Sequence, residues 1–233
     1  QRFLGSGKVN FDFALTAQEA WRNMNGHFSD LLGERRAHPQ DDLVSAMAAS
    51  CEDGQRLTDE ELIHTCGALL VAGHETTTNL ISNAIWLLLQ HPDRLNQLRN
   101  DDSLYPSAIE EFLRFESPFQ SLPRTLTEDV ELRGKWMRKG QLAYVMIGAA
   151  NRDPERFANP HELELSRTDN KQIAFGHGIH FCLGAPLARL EAPIAIRTMF
   201  KQFPHMQLIP EQPPVWKESM VQRGMERFDL SLN

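Results

Sequence analysis

The residue with the clearest chemical potential is Cys182, which lies in a glycine-rich stretch just before a predicted helix. Gly176, Gly178 and Gly184 flank it, and glycine allows tight turns through which a backbone can approach a bulky group. The helix is expected to start near Ala185, so its positive end would favour the thiolate form of the cysteine. Backbone amides in such a turn can donate to the sulfur. A thiolate placed in this way suits a soft metal or a heme iron.

Two other interpretations of Cys182 remain open from the residues alone. The first is a buried structural cysteine in a glycine turn, which the density of surrounding glycines disfavours. The second is a zinc site that uses His177, His180 and Cys182. That site lacks an obvious fourth ligand and a Cys-x-x-Cys partner, so we rank it lower.

A second chemical signal is the acid–hydroxyl pair Glu75 and Thr76, in the middle of a long predicted helix. Reductive cleavage of dioxygen consumes protons, and a carboxylate beside a hydroxyl can relay them with the help of water. Gly73 precedes the pair, although glycine within a helix costs up to ~1 kcal/mol relative to alanine. We therefore expect another group to pack close to the backbone there. The alternative is a kinked surface helix with Glu75 solvated.

The stretch from Phe175 to Gly184 resembles the heme-binding loop of the cytochrome P-450 family, Phe-Gly-x-Gly-x-His-x-Cys-x-Gly, at all six fixed positions. By this resemblance Cys182 is the axial ligand of the heme iron, and His180 reaches a heme propionate. The implied cofactor is heme b, which is iron protoporphyrin IX. The other cofactor-binding positions that the motif implies are Phe175, Gly176 and Gly184.

The stretch from Ala72 to Thr77 is similar to the family's Ala/Gly-Gly-x-Asp/Glu-Thr-Thr motif in the distal helix. The resemblance implies that Thr76 positions dioxygen and a water molecule. It also implies that Glu75 feeds protons to them. His74 falls at the variable position of this motif and is assigned no role.

Several charged residues complete the resemblance. Glu111 and Arg114 are three residues apart on one predicted helix, where they can pair, and they match the family's buried, structural Glu-x-x-Arg pair. Arg167 fits the family's second arginine of that network, and Arg156, in a Pro-Glu-Arg-Phe sequence, is the less favoured alternative. Arg124 sits where the family has an arginine for a heme propionate, a contact that suits guanidinium.

Two further segments, 119–122 and 220–225, are expected to face the substrate. Trp86 and Trp136 are interpreted as core residues rather than cofactor contacts. Both expectations rest on position within the resemblance and on residue type.

The resemblance implies a bacterial-type monooxygenase that inserts one oxygen atom from O2 into a small apolar substrate. It implies electrons from NAD(P)H by way of a reductase and a ferredoxin-type donor. Two alternatives are a peroxide-driven peroxygenase, which the Glu75–Thr76 pair disfavours, and a non-catalytic heme-binding fragment.

Composition limits the other possibilities. The 233 residues carry a formal net charge of -7, which disfavours nucleic-acid binding because a phosphate-tracking surface needs clustered cations. Three cysteines are too few for a disulfide framework, so a reducing cytoplasmic setting is expected. A run of 18 apolar residues is missing, so no membrane association is predicted.

Hydrophobic periodicity predicts helices over 16–36, 58–90, 92–100, 107–115 and 185–202, with a short helix ending near Ala49. Capping boxes are expected at Thr58–Glu61 and Ser107–Glu110. Glycines at 134 and 140 predict β-hairpin strands between 130 and 147, a long loop follows over 148–181, and short strands are expected after Met206. Pro193 is expected to bend the last helix.

The predicted fold class is mainly α with minor β, an incomplete cytochrome P-450 fold, and 1–233 is interpreted as the C-terminal portion of a single domain. Relative to the family, the helices that precede this portion are missing from the sequence. We therefore expect a heme pocket that is open on one side and an isolated chain that binds heme poorly or is inactive.

Overall fold

The computed structural model describes residues 11–51 and 54–232, and it is mainly helical with short strands. The helices are α1 (Phe11–Ala37), α2 (Leu43–Ala49), α3 (Asp59–Gln90), α4 (Pro92–Asn100), α5 (Tyr105–Phe115), α6 (Ile147–Ala150) and α7 (Ala185–Gln202). Single 3-10 turns cover Asp102–Leu104 and Gly178–His180. No helix in these ranges is long and apolar enough to cross a membrane.

Within residues 11–51 and 54–232, eight strands form four antiparallel pairs. They are β1 (Leu122–Thr125), β2 (Val130–Leu132), β3 (Lys135–Met137), β4 (Leu142–Val145), β5 (Gln207–Leu208), β6 (Val215–Trp216), β7 (Met225–Arg227) and β8 (Leu230–Ser231). β2 pairs with β3 through a turn in which Gly134 has φ +75, a conformation that glycine adopts without strain. β1 pairs with β4, β5 with β8, and β6 with β7.

The chain divides into two compact units, Gln1–Glu75 and Thr76–Asn233. In the first unit, Asp42 caps α2 by accepting from the Ser45 amide. At the start of α3, Glu61 accepts from the amide and hydroxyl of Thr58, and the Glu61 amide lies 3.3 Å from the Thr58 hydroxyl. The predicted capping box at this position is confirmed.

The second unit has the main hydrophobic core, built where α3, α5 and α7 pack together. Leu88, Phe112 and Ile196 are among its fully buried members, one from each helix. Trp86 packs against this core and stacks edge-on against Trp216, with ring centroids 4.9 Å apart. Trp136, in contrast, is 58% exposed on the β2–β3 hairpin, so its interpretation as a core residue is wrong. On this two-stranded hairpin the Arg138 guanidinium lies over the ring, 5.5 Å from its centroid, and much of the ring stays open to solvent.

The second predicted capping box is also wrong, because α5 begins at Tyr105 with Pro106 in its first turn. A proline is favourable in the first helical turn, where its missing N–H would be unsatisfied in any case. The Ser107 hydroxyl therefore donates back to the Leu104 carbonyl instead of capping the helix. Glu110, the expected box partner, is left available for other contacts.

Candidate functional site: an exposed cysteine loop

Cys182 lies at the surface of a tightly turned loop that ends where α7 begins. Gly176 and Gly178 adopt φ values of +76 and +74, which side-chain-bearing residues rarely adopt. The Cys182 amide donates to the Phe175 carbonyl at 2.9 Å, and this bond closes the loop. The Cys182 thiol is exposed rather than packed in the core, so the structural-cysteine interpretation does not fit.

The surface around the thiol is apolar and open. Ile179 is 98% exposed and Leu183 is 84% exposed, and Phe181 is half-exposed beside Phe175. A Cβ at Gly184 would lie 3.9 Å from the Cys182 Sγ, so glycine keeps the approach to the sulfur clear. An exposed soft ligand in an apolar surface fits a flat, largely apolar macrocycle whose metal takes a thiolate.

The two residues predicted to bind propionates are both exposed. Arg124 lies on β1, and its Nη1 donates to the adjacent Pro123 carbonyl at 2.8 Å. His180 ends the 3-10 turn of the cysteine loop. Each therefore offers exposed donor groups of the kind that a carboxylate requires. Within the described ranges, no group of three or more His, Cys, Asp or Glu is arranged to hold a metal ion, so the zinc interpretation gains no support.

The loop is attached to α5 through Glu110, an interaction that sequence reasoning missed. The Arg189 Nε donates to Glu110 at 2.6 Å, and the Gln172 side chain donates to the same carboxylate at 2.9 Å. Arg189 also stacks over the Phe175 ring at 4.6 Å. These contacts join the residues before Cys182, the first turns of α7 and α5 into one support. Gln172 and Arg189 follow Glu110 by 62 and 79 positions in the sequence. Periodicity reports only local structure, so it could not predict these contacts.

This support predicts a pH dependence. Burial acts to raise the pKa of Glu110, but hydrogen bonds from Arg189 and Gln172 outweigh it, so the pKa is lowered from 4.5. A carboxyl whose pKa is lower in the folded state stabilises the fold above about pH 4.5, and this contribution is lost as pH falls through the folded value. Glu110→Gln is therefore expected to reduce the pH dependence of the unfolding free energy between pH 6 and pH 3. Denaturant titration at each pH measures the unfolding free energy. If its dependence on pH is the same in Glu110→Gln as in the wild type, the role assigned to Glu110 is contradicted.

The three residues predicted to form a charged network lie together and are buried. Arg114 makes a two-point ion pair with Glu111 at 2.7 Å, and both side chains have no exposed surface. The Arg167 Nε donates to the same carboxylate at 3.1 Å. Arg156, the less favoured alternative, instead pairs with Asp169 at the surface. The arginines also donate to the carbonyls of the long loop at Asn151, Ala158, Asn159, Pro160 and Glu162. This network therefore fixes the path of the loop that leads to Cys182.

The two segments predicted to face the substrate lie side by side. Phe119 forms an isolated antiparallel bridge with Gln222, and the Ser121 hydroxyl donates to the Met220 carbonyl at 2.8 Å. Asn83, fully buried on α3, donates to the Arg223 carbonyl at 3.0 Å. The segments are therefore held against the long helix by a side chain that sequence reasoning had not selected. Whether they contact a substrate stays a prediction.

Gly224 is the closest point of this contact. A Cβ there would lie 2.1 Å from the Oδ1 of Asn79, which is buried on α3. Gly224→Ala is expected to destabilise the fold by about 1–3 kcal/mol, the usual cost of overpacking. Urea unfolding measures this effect. Gly134→Ser is unsuitable as a control, because Gly134 has a positive φ and any side chain there would strain the backbone. Gly73→Ala is suitable, since no described atom lies within 4 Å of the added carbon; equal losses in both variants would contradict the packing argument.

The stretch from Ala72 to Thr77 lies within α3, as predicted, with Glu75 and Thr76 half-buried at consecutive positions. The expected close approach to Gly73 is not seen among the described residues. The chain's own packing therefore does not account for glycine at this position.

Comparison with known proteins gives a consistent result. The family model described as Cytochrome P450 matches residues 14–226. The cytochrome P450 monooxygenase PikC of Streptomyces venezuelae is 45% identical over 217 residues, 92% of this chain and 52% of PikC. A biotin biosynthesis cytochrome P450 of Bacillus subtilis is 46% identical over 182 residues, 78% of this chain and 46% of that protein. The chain spans about half the length of the curated relatives it matches.

Solved structures agree. CYP109E1 from Bacillus megaterium, in complex with testosterone, superposes with a TM-score of 0.91 at 38% identity, covering 95% of this chain and 62% of that one. P450BioI, in complex with an acyl carrier protein that carries hexadec-9Z-enoic acid, gives a TM-score of 0.90 at 38% identity. That match covers 96% of this chain and 57% of P450BioI.

Proposed function

The chain belongs to the cytochrome P450 family and matches part of the length of its bacterial members. We propose that it contributes the region of a heme monooxygenase that carries the thiolate ligand. The observation that carries the proposal is the exposed Cys182 in a glycine loop with an open apolar surround. The proposed reaction is the insertion of one oxygen atom from O2 into an apolar organic molecule. The enzyme class is therefore an oxidoreductase.

We assign binding roles to the residues around the loop. Cys182 would supply the sulfur ligand of heme b, while Arg124 and His180 would donate to its propionates. Phe175, Gly176 and Gly184 would shape the surface on which the ring rests. When bound, the heme supplies the redox chemistry that reduces dioxygen and transfers one oxygen atom.

Glu75 and Thr76 are the proposed proton-handling pair. The Thr76 hydroxyl would hold a water molecule by accepting and donating hydrogen bonds, and the Glu75 carboxyl would pass protons to that water. Their consecutive, half-buried positions on α3 support this role, since partial burial limits exchange with bulk solvent. The segments 119–122 and 220–225, which contact each other, would exclude water from an apolar substrate.

The proposed partners are a small apolar substrate, O2 and a ferredoxin-type donor that is reduced through an NAD(P)H-dependent reductase. The proposed location is the cytoplasm, with the protein in soluble form. The principal alternatives are a peroxygenase driven by peroxide and a heme-binding fragment without activity.

A spectroscopic titration tests the proposal. The chain is mixed with hemin, reduced under carbon monoxide, and its difference spectrum is recorded. A red-shifted thiolate Soret band supports heme binding through sulfur, and failure to take up heme would refute it for this chain. Turnover of a hydrophobic compound panel with ferredoxin and reductase, compared with peroxide alone, then separates a monooxygenase from a peroxygenase and from an inactive fragment.

A further inference from the structure

A cavity in the Thr76–Asn233 unit is lined by two arginines, one glutamate, the polar residues Gln120 and Ser219, and apolar side chains. Its volume is about 520 Å³. None of the residues assigned to heme or dioxygen lines it, but Gln120, Met220 and Arg223 belong to the segments 119–122 and 220–225 that are predicted to face the substrate. The lining residues on which the inference depends are Phe115, Glu116, Met146, Arg152, Met220 and Arg223.

The charges of this cavity do not balance. Glu116 accepts from the Arg223 Nε at 3.0 Å and from the Arg152 Nη2 at 3.3 Å, so one carboxylate faces two guanidinium groups. Arg152 also donates twice to the Phe115 carbonyl, a neutral acceptor. The site therefore has one positive charge in excess.

The cavity also has an excess of hydrogen-bond donors. A guanidinium has five N–H groups, and the described contacts of Arg223 use only its Nε. Its guanidinium carbon lies 3.5 Å from the centroid of the Trp216 ring, a cation–π contact that helps to hold the group in place. The Ser219 hydroxyl accepts from two backbone amides, and no described contact uses its own proton. Donors that the described contacts leave available, beside an excess positive charge, suit a carboxylate.

Burial strengthens this preference. Loss of hydration is the main reason that the pKa of Arg152 is lowered, and the neighbouring arginines Arg114 and Arg223 add to it. A second anion would offset this unfavourable environment. Met146 and Met220, both half-exposed or more, provide a flexible apolar surface at the same cavity.

We propose that this cavity, centred on Arg223, binds the carboxylate of a small aliphatic acid, with the hydrocarbon chain against Met146 and Met220. The ligand class follows from a positively charged, donor-rich end beside an apolar one. The site shares Met220 and Arg223 with a segment predicted to face the substrate, so the proposal deepens the proposed function, but its test needs no heme and its failure is distinguishable from a failure of heme binding.

Trp216 provides the readout, because Arg223 stacks on its ring. The heme-free chain is titrated with octanoate while tryptophan fluorescence is followed, and Trp216→Phe identifies the responding ring. Saturable binding of octanoate and much weaker binding of octanol are expected. Arg223→Met is expected to weaken octanoate binding about tenfold or more, as for loss of charged hydrogen bonds. Arg227→Met is the matched control, since Arg227 lies on β7 and pairs with Asp229 at the surface.

Each outcome decides the proposal. Equal binding of octanol and octanoate would mean apolar adsorption only and would overturn it, as would an unchanged affinity in Arg223→Met. If that variant does not fold by circular dichroism, Arg223→Lys decides instead. It keeps the charge but lacks the fork, so a several-fold weakening supports the site and unchanged binding refutes it. Absence of any saturable response in the wild-type chain also refutes it.

Discussion

Cys182→Ser is expected to abolish the thiolate signature of the heme-loaded chain. A serine hydroxyl is a poor ligand for heme iron, and it cannot supply the soft, electron-rich donor that a thiolate provides. The loop itself should persist, because its closing bond joins the Cys182 amide to the Phe175 carbonyl and does not involve the sulfur. The measurement is the carbon monoxide difference spectrum after reduction, together with far-UV circular dichroism to verify the fold.

The chain contains its own control for this experiment. Cys51 is also a free, exposed cysteine, so Cys51→Ser removes a thiol of similar accessibility from another part of the chain. Its spectrum should match that of the wild type. A red-shifted band that survives in Cys182→Ser but is lost in Cys51→Ser would place the ligand elsewhere and remove the basis of the proposed function.

The helix boundaries show what the sequence could supply. α4 and α7 begin and end where predicted, because proline occupies the first turn of each and the apolar periodicity is clear between the ends. The start of α5 was predicted two residues late because Ser107 and Glu110 imitate a capping box. Pro106 was the stronger signal, since it fixes a backbone angle that only the first turn accommodates.

Contacts between residues far apart in the chain could not be predicted from local sequence patterns. The strands between 130 and 147 were predicted. However, β4 pairs with β1, and no turn residues in the sequence indicated that β1 is a strand. The site shows the same division. The spacing of Glu111 and Arg114 indicated a pair, and the structure has that pair. Nothing local indicated that Asn83 bonds the carbonyl of Arg223, or that Glu110 holds Arg189. Such contacts depend on packing rather than on the order of residue types.

The buried network supports the second large prediction. The Glu111 carboxylate accepts five hydrogen bonds, from Arg114 twice and from Arg167, Asn170 and the Glu164 amide. Glu111→Gln leaves the buried Arg114 without a counter-charge, removes one of the two carboxylates that pair with Arg167, and turns an amide NH2 toward other donors. Breaking a buried ion pair from one side costs about 3–5 kcal/mol. This is a large fraction of a typical folding free energy of about 5–15 kcal/mol.

Urea unfolding followed by circular dichroism measures this loss, and two arginines provide the comparison that identifies its cause. Arg167→Gln removes a nearly buried contact to the Glu111 carboxylate, whereas Arg156→Gln removes a surface pair with Asp169. The first should destabilise strongly, and the second should cost at most about 1 kcal/mol because water screens the pair. If Arg156→Gln is more destabilising than Arg167→Gln, then Arg156 rather than Arg167 holds the loop that leads to Cys182. In that case the network described for Glu111 is incorrect.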